Sequence, residues 1–347
     1  MNQALINWSE KSFSLLPWRK KRTLYRTLVS EIMLQQTTVF TVLQHFEGFI
    51  KKFPDVFSLA KASEEEVCIA WKGLGYYRRA RNLRKAAISI VDDFDGVIPI
   101  EFGQLKNISG IGEYTANAIL GIGANKKVLA VDANLERVLS RLFYIEEDKG
   151  PKLQKKIYEL FENKKILIEH RKWGGRLLNE AFMDLGRVYC QAKKALCVSC
   201  PVNEVCTAGK RGDPLSFPIN PKLKKAKEFF DLKLLRVVIK KKEKILTYRK
   251  KENYWLAGQK EIPTFILSTN DKSLKQYPFW KEKVNLSDLK SFKTSITKYR
   301  ITNYIYEMTL SEWKKSFHDL EGPFRFVSTD ANEENLSTST IKTLKLS

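Results

Sequence analysis

Residues 1 to about 217 carry apolar positions at the three- and four-residue spacings of helices. Around RTLVSEIMLQQTT (26–38), Leu24, Leu28, Glu31 and Gln35 share one helical face, and Val29, Ile32, Met33 and Gln36 share another. That segment is expected to be almost wholly buried. LERVLSRLF (135–143) repeats the pattern with Leu135, Val138, Leu139 and Leu142. Short turns such as GLG (73–75) and SGIG (109–112) separate the helices, which predicts an all-α unit. SFPINPKLKKAKEF (216–229) mixes prolines with lysines and breaks the pattern, so 218–229 is expected to be a linker. Beyond it, LKLLRVVI (232–239) and ILTYR (245–249) flank KKKEK as a hairpin would, and ITNYIYEMTL (301–310) is rich in strand formers. A second, α+β domain is predicted, and no fixed-period repeat is evident.

The 347 residues leave room for two domains, each with its own core. Hydrophobic residues make up 43% and aromatics 12%, the composition of a globular protein rather than a disordered one. No run of eighteen apolar residues occurs, and MNQALINWSEKSF lacks the apolar segment of a signal peptide. The expected setting is cytoplasmic (nucleoid-associated in a bacterium), with no membrane partner and a monomeric chain. Thiols stay reduced there, so clustered cysteines favour a metal over disulfides. Three histidines (His45, His170, His318) are too few for most histidine-based metal or triad schemes. Lysine and arginine exceed aspartate and glutamate by 22, which suits a polyanion such as nucleic acid. A lysine-rich proteome would give the same excess without any such partner.

CQAKKALCVSCPVNEVC (190–206) spaces four cysteines by six, two and five residues. Four thiolates complete either a zinc tetrahedron or the outer corners of a cubane cluster. Zinc sites usually present two tight pairs, whereas here only Cys197 and Cys200 are close, with Cys190 and Cys206 at wider gaps. One run wrapped around a larger object matches better. Cys68, apart in VCIAWKG, is expected in the core.

LKNISGIGEYTANAIL (105–120) sets Gly110 and Gly112 around Ile111, then starts a helix near Tyr114. Glycines let backbone N–H groups approach a phosphate, and a helix N-terminus adds positive partial charge. A turn of this kind is weak evidence alone. Glu31 lies on the stripe with Leu24 and Leu28, where burial would favour its protonated form. Its ordinary alternative is a partly exposed glutamate. Asp132 precedes LERVLSRLF, and its ordinary role is a helix N-cap.

Longer patterns change these odds. The cysteine spacing, with Cys190 closing NEAFMDLGRVYC (179–190), resembles the [4Fe–4S] loop of the endonuclease III superfamily of DNA glycosylases. The glycine turn resembles that superfamily's helix-hairpin-helix, which grips the DNA backbone without reading sequence. SEIMLQQT, GLGYYRRARNL, the hairpin with its tyrosine, VDANLERVLSRLF and NEAFMDLG resemble the MutY family of adenine DNA glycosylases in order and spacing, over nearly all of residues 13–206.

The resemblance implies an all-α helix-hairpin-helix glycosylase domain over 1–217, with a six-helix subdomain at about 23–125 and a cluster subdomain at about 1–22 and 126–217. A MutT (Nudix)-like domain would follow at 230–347. It implies Glu31 as the acid that protonates adenine at N7 and later helps activate water, Asp132 as the carboxylate facing the oxocarbenium ion, and Asn134 and Tyr114 ordering the site. Trp18, Arg19, Leu34, Val39 and Glu180 would line the pocket for a flipped base. Gln36, Thr37, Leu74, Tyr76, Gly110 and Gly112 would meet DNA, and Cys190, Cys197, Cys200 and Cys206 would hold a [4Fe–4S] cluster. The implied substrate is double-stranded DNA with an A:8-oxoguanine or A:G mispair, and the product passes to abasic-site repair enzymes. Strand-cutting relatives place a lysine at position 114; a phenol cannot form a Schiff base, so no strand cleavage is expected.

Two departures stand out. The family writes V-D-G-N where this chain has Ala133, which would be strained only at positive φ. WLAGQKEIP (255–263) resembles a segment of the MutT-like domain, but the glutamate-rich hydrolase motif is absent, so binding rather than hydrolysis is expected. The family's Phe-Ser-His lesion-reading turn corresponds to Ile296, Thr297 and Lys298, which leaves the strength of 8-oxoguanine discrimination open. Two other functions remain at this point: a lesion-binding or redox-sensing iron–sulfur protein without excision, and an endonuclease III-like enzyme.

Overall fold

The structure, a computed structural model, describes residues 2–163, 174–220, 229–317, 324–330 and 332–347. His170, His318 and linker positions 221–228 lie outside the described residues. Two compact units divide the chain, residues 1–222 and 223–347. Among the described residues no helix is long and apolar enough to cross a membrane.

The first unit is built of helices: α1 Asn2–Phe13, α2 Pro17–Lys20, α3 Leu24–Leu34, α4 Val39–Lys52, α5 Val56–Lys61, α6 Glu64–Ala70, α7 Arg78–Phe94, α8 Phe102–Asn107, α9 Glu113–Ala118, α10 Ala133–Phe143, α11 Pro151–Glu162, α12 Gly174–Val188 and α13 Thr207–Arg211. Thr23 starts α3 by accepting the Arg26 N–H, and residues 25–33 of that helix are buried on every face. The burial ends there: Leu34, Gln35 and Thr37 are half-buried and Gln36 and Thr38 exposed, because the helix stops at Leu34. Two apolar cores organise the unit. One runs from Trp18 to Leu120 and includes Leu28, Met33, Phe46, Trp71 and Leu83. The other joins Leu5 and Ile6 to residues between Leu129 and Val202. A fully buried leucine or phenylalanine contributes roughly 1.5–3 kcal/mol, so these cores can offset a few buried charges.

The second unit holds β1 Phe230–Val238, β2 Lys240–Lys241, β3 Lys244–Arg249, β4 Lys260–Glu261, β5 Thr264–Thr269, β6 Ser291–Ile296, β7 Tyr299–Glu307, α14 Leu310–Ser316, β8 Arg325–Ser328 and α15 Thr338–Leu346. One sheet has the order β5-β1-β7-β6, with β1 parallel to β7 and the other pairs antiparallel. In the other, β3 is flanked by β2, β4 and β8. The hairpin expected around KKKEK exists, but its first arm is the short β2; β1 itself is spent on β5 and β7. The β6–β7 hairpin pairs Ile296 with Tyr299, leaving Thr297 and Lys298 as its two-residue turn. Between the sheets' strands, Glu261 is fully buried and accepts from Arg236 at 2.9 Å and Lys250 at 3.4 Å, with the Tyr277 hydroxyl at 3.2 Å.

Candidate active site

Glu31 sits on α3 with 4% of its surface exposed. The Tyr114 hydroxyl on α9 donates to its Oε2 at 2.6 Å. Burial pushes the Glu31 carboxyl up to about 7; the Tyr114 bond opposes this, Asp132 and Glu180 add to it, and Arg19 subtracts. The sequence-derived group Glu31, Tyr114, Asp132, Glu180 and Arg19 is thus one electrostatic neighbourhood.

The glycine turn ahead of α9 depends on one of its two glycines. Gly110 has φ +88°, and a Cβ there would lie 2.6 Å from the Asn82 carbonyl oxygen. Gly112 is the N-cap at φ −85° with open space around it. Past α9 a π-helical turn, Ile119–Gly123, packs Gly121 against the Val128 carbonyl. Asn179 on α12 then grips the chain leading to Asp132: its Nδ2 donates to Val128 O at 2.7 Å and its Oδ1 accepts the Ala130 N–H at 2.8 Å.

Asp132 is the N-cap of α10, accepting the N–H groups of Asn134 at 2.9 Å and Leu135 at 2.8 Å. Asn134 also donates its side-chain amide to Oδ2 at 2.9 Å and is itself held by Arg137 at 2.8 Å. Burial raises the Asp132 carboxyl, and these bonds with the Arg137 charge pull it back. The ordinary capping role and a place beside Glu31 are therefore both present. Ala133 is the first residue of α10 and is not among the positive-φ residues, so it introduces no backbone strain.

Glu180 is clasped by Arg22 at 2.5 and 3.0 Å and by Arg19 at 3.5 Å. Arg19 turns its other end to Asp184 at 2.8 Å, which also accepts from Ser9 at 2.6 Å. Asp184 and Arg22 went unremarked in the sequence; NEAFMDLG supplies Asp184 four positions after Glu180, on one face of α12. Trp18 packs edge-on to Phe46 at 5.5 Å, while Leu34 and Val39 are half-buried against the same core.

Gln36 and Tyr76 are exposed and both adopt positive φ, 54° and 45°. Leu74, expected to face DNA, is instead 4% exposed, its side chain in the helical core because the turn Gly73–Gly75 folds it inward. Its carbonyl, with those of Gly75 and the α3 end, is bound by Arg79, a residue the motifs did not single out.

Cys190, Cys197, Cys200 and Cys206 line one cavity with Val138, Arg141, Leu142 and Leu185. All four are free thiols, and burial with the charge of neighbouring cysteines raises Cys197, Cys200 and Cys206. Among the described residues no group of three or more His, Cys, Asp or Glu side chains is arranged to hold a metal ion. Arg141 on α10 holds the cysteine loop, donating to Gln191 O at 2.8 Å, Ala192 O at 3.4 Å and Cys190 Sγ at 3.4 Å.

In the second unit Thr297 and Lys298 are exposed, Thr297 at φ +50°. Lys298 lies 3.8 Å from Asp271 and 4.2 Å above the Phe230 ring. Hydrogen bonds from Ser273 and Tyr299 hold Asp271 down to about 2, so it stays charged.

Known proteins place this arrangement. Residues 29–163 match the family profile of the HhH-GPD superfamily base excision DNA repair protein. An adenine DNA glycosylase of Buchnera aphidicola (subsp. Schizaphis graminum) is 31% identical over 265 residues, covering 75% of this chain and 71% of the relative. The Homo sapiens adenine DNA glycosylase is 36% identical over 217 residues, covering 60% of this chain and 39% of the relative. A solved structure of a thermostable thymine-DNA glycosylase superposes with TM-score 0.54 at 25% identity, over 60% of this chain and 95% of that one. Helix-borne Glu31, the glycine turn and the capped Asp132 all fall within the matched stretch, and the chain belongs to the adenine DNA glycosylase family.

Proposed function

We propose that this base excision repair glycosylase hydrolyses the N-glycosidic bond of adenine mispaired with 8-oxoguanine or guanine in double-stranded DNA. The observation that carries the reading is Glu31, buried, bonded to Tyr114 at 2.6 Å and poised at about 7, within the field of Asp132. A carboxyl near neutrality can serve both as acid and as base in one cycle.

Adenine leaves the stack and enters the pocket beside Arg19 and Glu180, a step eased by its weak mispair. Glu31 gives its proton to N7. The C1′–N9 bond breaks with its electrons going to the purine, leaving an oxocarbenium ion. Asp132, fixed by the α10 N-terminus and Asn134, faces that cation as a charge already in place. Water adds to C1′ and loses a proton to the Glu31 carboxylate, which restores the acid. The product is an abasic site for other repair enzymes. Tyr114 offers no amine, so the strand stays intact.

Gln36, Thr37, Tyr76 and the Gly110–Gly112 turn are the proposed DNA contacts of the first unit. The second unit is proposed to be MutT-like and to inspect the base opposite adenine with Thr297 and Lys298. The four cysteines suit a [4Fe–4S] cluster: they ring a common cavity and are unbridged. When bound, that group cross-links the loop; the residues themselves project Lys193 and Lys194 toward phosphate.

The test is a duplex with one A:8-oxoguanine pair, incubated with iron-loaded protein and then cleaved with alkali at abasic sites. Cleavage at the adenine position alone is expected, ahead of A:G and far ahead of A:T. A strand that survives alkali refutes the proposal.

A further inference from the structure

Arg79 on α7 is 8% exposed, and its guanidinium spans two loops. Nη1 donates to the carbonyls of Ile32 at 2.9 Å and Met33 at 2.8 Å, and also to that of Gln35. Nη2 donates to Thr37 Oγ1 at 2.8 Å, Leu74 O at 2.9 Å and Gly75 O at 3.3 Å. The same cation lies 5.5 Å from the Trp71 ring centre and 5.7 Å from that of Tyr76.

The first loop leaves the C-terminal end of α3, the helix of Glu31, and contains Gln36. The second contains Tyr76, 66% exposed. Carbonyls at a helix end lack intrahelical donors, and Arg79 supplies them. Gln36 at φ 54° and Tyr76 at φ 45° hold conformations that side-chain-bearing residues rarely adopt and that persist only where their surroundings over-determine them. One residue gives both loops that constraint. Lysine could not, because an ammonium lacks the planar fork that serves two groups of carbonyls at once.

We propose that Arg79 is a positioning residue for base excision: it locks the exposed Tyr76 and Gln36 to the end of the Glu31 helix, so that the duplex held by these loops is held in register with the acid. The inference rests on the function proposed above, in which Tyr76 meets DNA and Glu31 protonates the base.

The experiment is a double-mutant cycle in single-turnover excision on the A:8-oxoguanine duplex, using full-length iron-loaded protein. Activity of the unmodified protein tests the proposed function first, and the variants then test Arg79 separately. Arg79→Lys is expected to slow excision by about 10- to 100-fold, the scale of an ångström-level misplacement. Added to Tyr76→Ser, it should slow excision by no more than about threefold further, because the two residues act as one unit. Thr37→Val removes one bond to Nη2 and should slow excision several-fold without shifting the melting temperature. Full multiplication of the Arg79→Lys and Tyr76→Ser effects overturns the inference, as does an Arg79→Lys protein of unchanged rate. If Arg79→Lys does not fold, the Thr37→Val and Tyr76→Ser pair decides by the same criterion.

Discussion

Tyr114 donates its hydroxyl to Glu31 Oε2 at 2.6 Å, joining the helix after the glycine turn to the middle of α3. The bond stabilises the charged carboxylate while burial disfavours it, and the balance leaves Glu31 at about 7. The phenol itself is pushed well above its ordinary value by burial and by the Glu31 and Asp132 charges, so it stays a donor throughout the neutral range.

Glu31→Gln should lower single-turnover excision by at least about a thousandfold while leaving duplex affinity close to normal. It should also stabilise the fold above neutrality. The folded-state carboxyl is raised from 4.5 to about 7, so the folded protein binds the proton more tightly than the unfolded chain between those values. Stability therefore falls as pH rises through that window, by about 3 kcal/mol in all. Thermal melts at pH 5 and pH 8 should show the variant gaining on the native protein only at the higher pH; equal behaviour at both would contradict the assignment.

Tyr114→Phe removes the bond that lowers the Glu31 carboxyl. The alkaline fall of the excision rate, set by loss of the acid form, should then move to higher pH. A pH–rate profile measured in single turnover checks it, and a limb that moves down would count against Tyr114 as the donor.

Asp132 both caps α10 and faces the proposed cation, and two substitutions separate these jobs. Asn can still accept the Asn134 and Leu135 N–H groups, so Asp132→Asn should melt near the native temperature yet lose about 100-fold or more in excision. Asp132→Ala should lose the same activity and about 1 kcal/mol of stability besides. Denaturant melts with parallel excision assays distinguish them.

Cys200→Ser should abolish the broad visible absorbance expected of iron-loaded protein and lower the melting temperature of the first unit. Stoichiometric zinc with no visible band in the native protein would exclude a cluster.

Lys298→Ala should narrow the preference for A:8-oxoguanine over A:G by about tenfold or less, with excision from A:G little changed. The ion pair with Asp271 and the stack on Phe230 fix where this cation stands, so Asp271→Asn should act in the same direction. Paired rates on the two duplexes provide the measure.

The buried stripe that carries Glu31 and the capping place of Asp132 were legible from local pattern, whereas the grouping of these two with Tyr114, and the common job of the four cysteines, came from the resemblance to the MutY family. The helical unit was legible from local pattern too: buried α3 and α10 follow from periodicity and their caps. What escaped depends on chain segments far apart. Arg79 reaches 47 residues back to Ile32, and Arg22 reaches 158 forward to Glu180. Nothing in GLGYYRRARNL distinguishes Arg79 from Arg78 or Arg81 until the loops it spans are folded around it. Leu74, which the family pattern implied as a DNA contact, has its side chain in the core, between two glycines at positive φ, a burial that the local sequence GLG does not report. Strand β1 likewise took parallel β7 as a neighbour, a pairing no local hairpin signal reports.

Asp132 caps helix α10, and Arg141, the ninth of that helix's eleven residues, meets the loop of Cys190. A helix is a stiff rod of about 1.5 Å per residue, so the two groups cannot shift independently. Damage to the sulfur-bearing end would tilt the carboxylate end, and a protein that had lost its grip there would fall silent without a single alteration among the residues that touch the base.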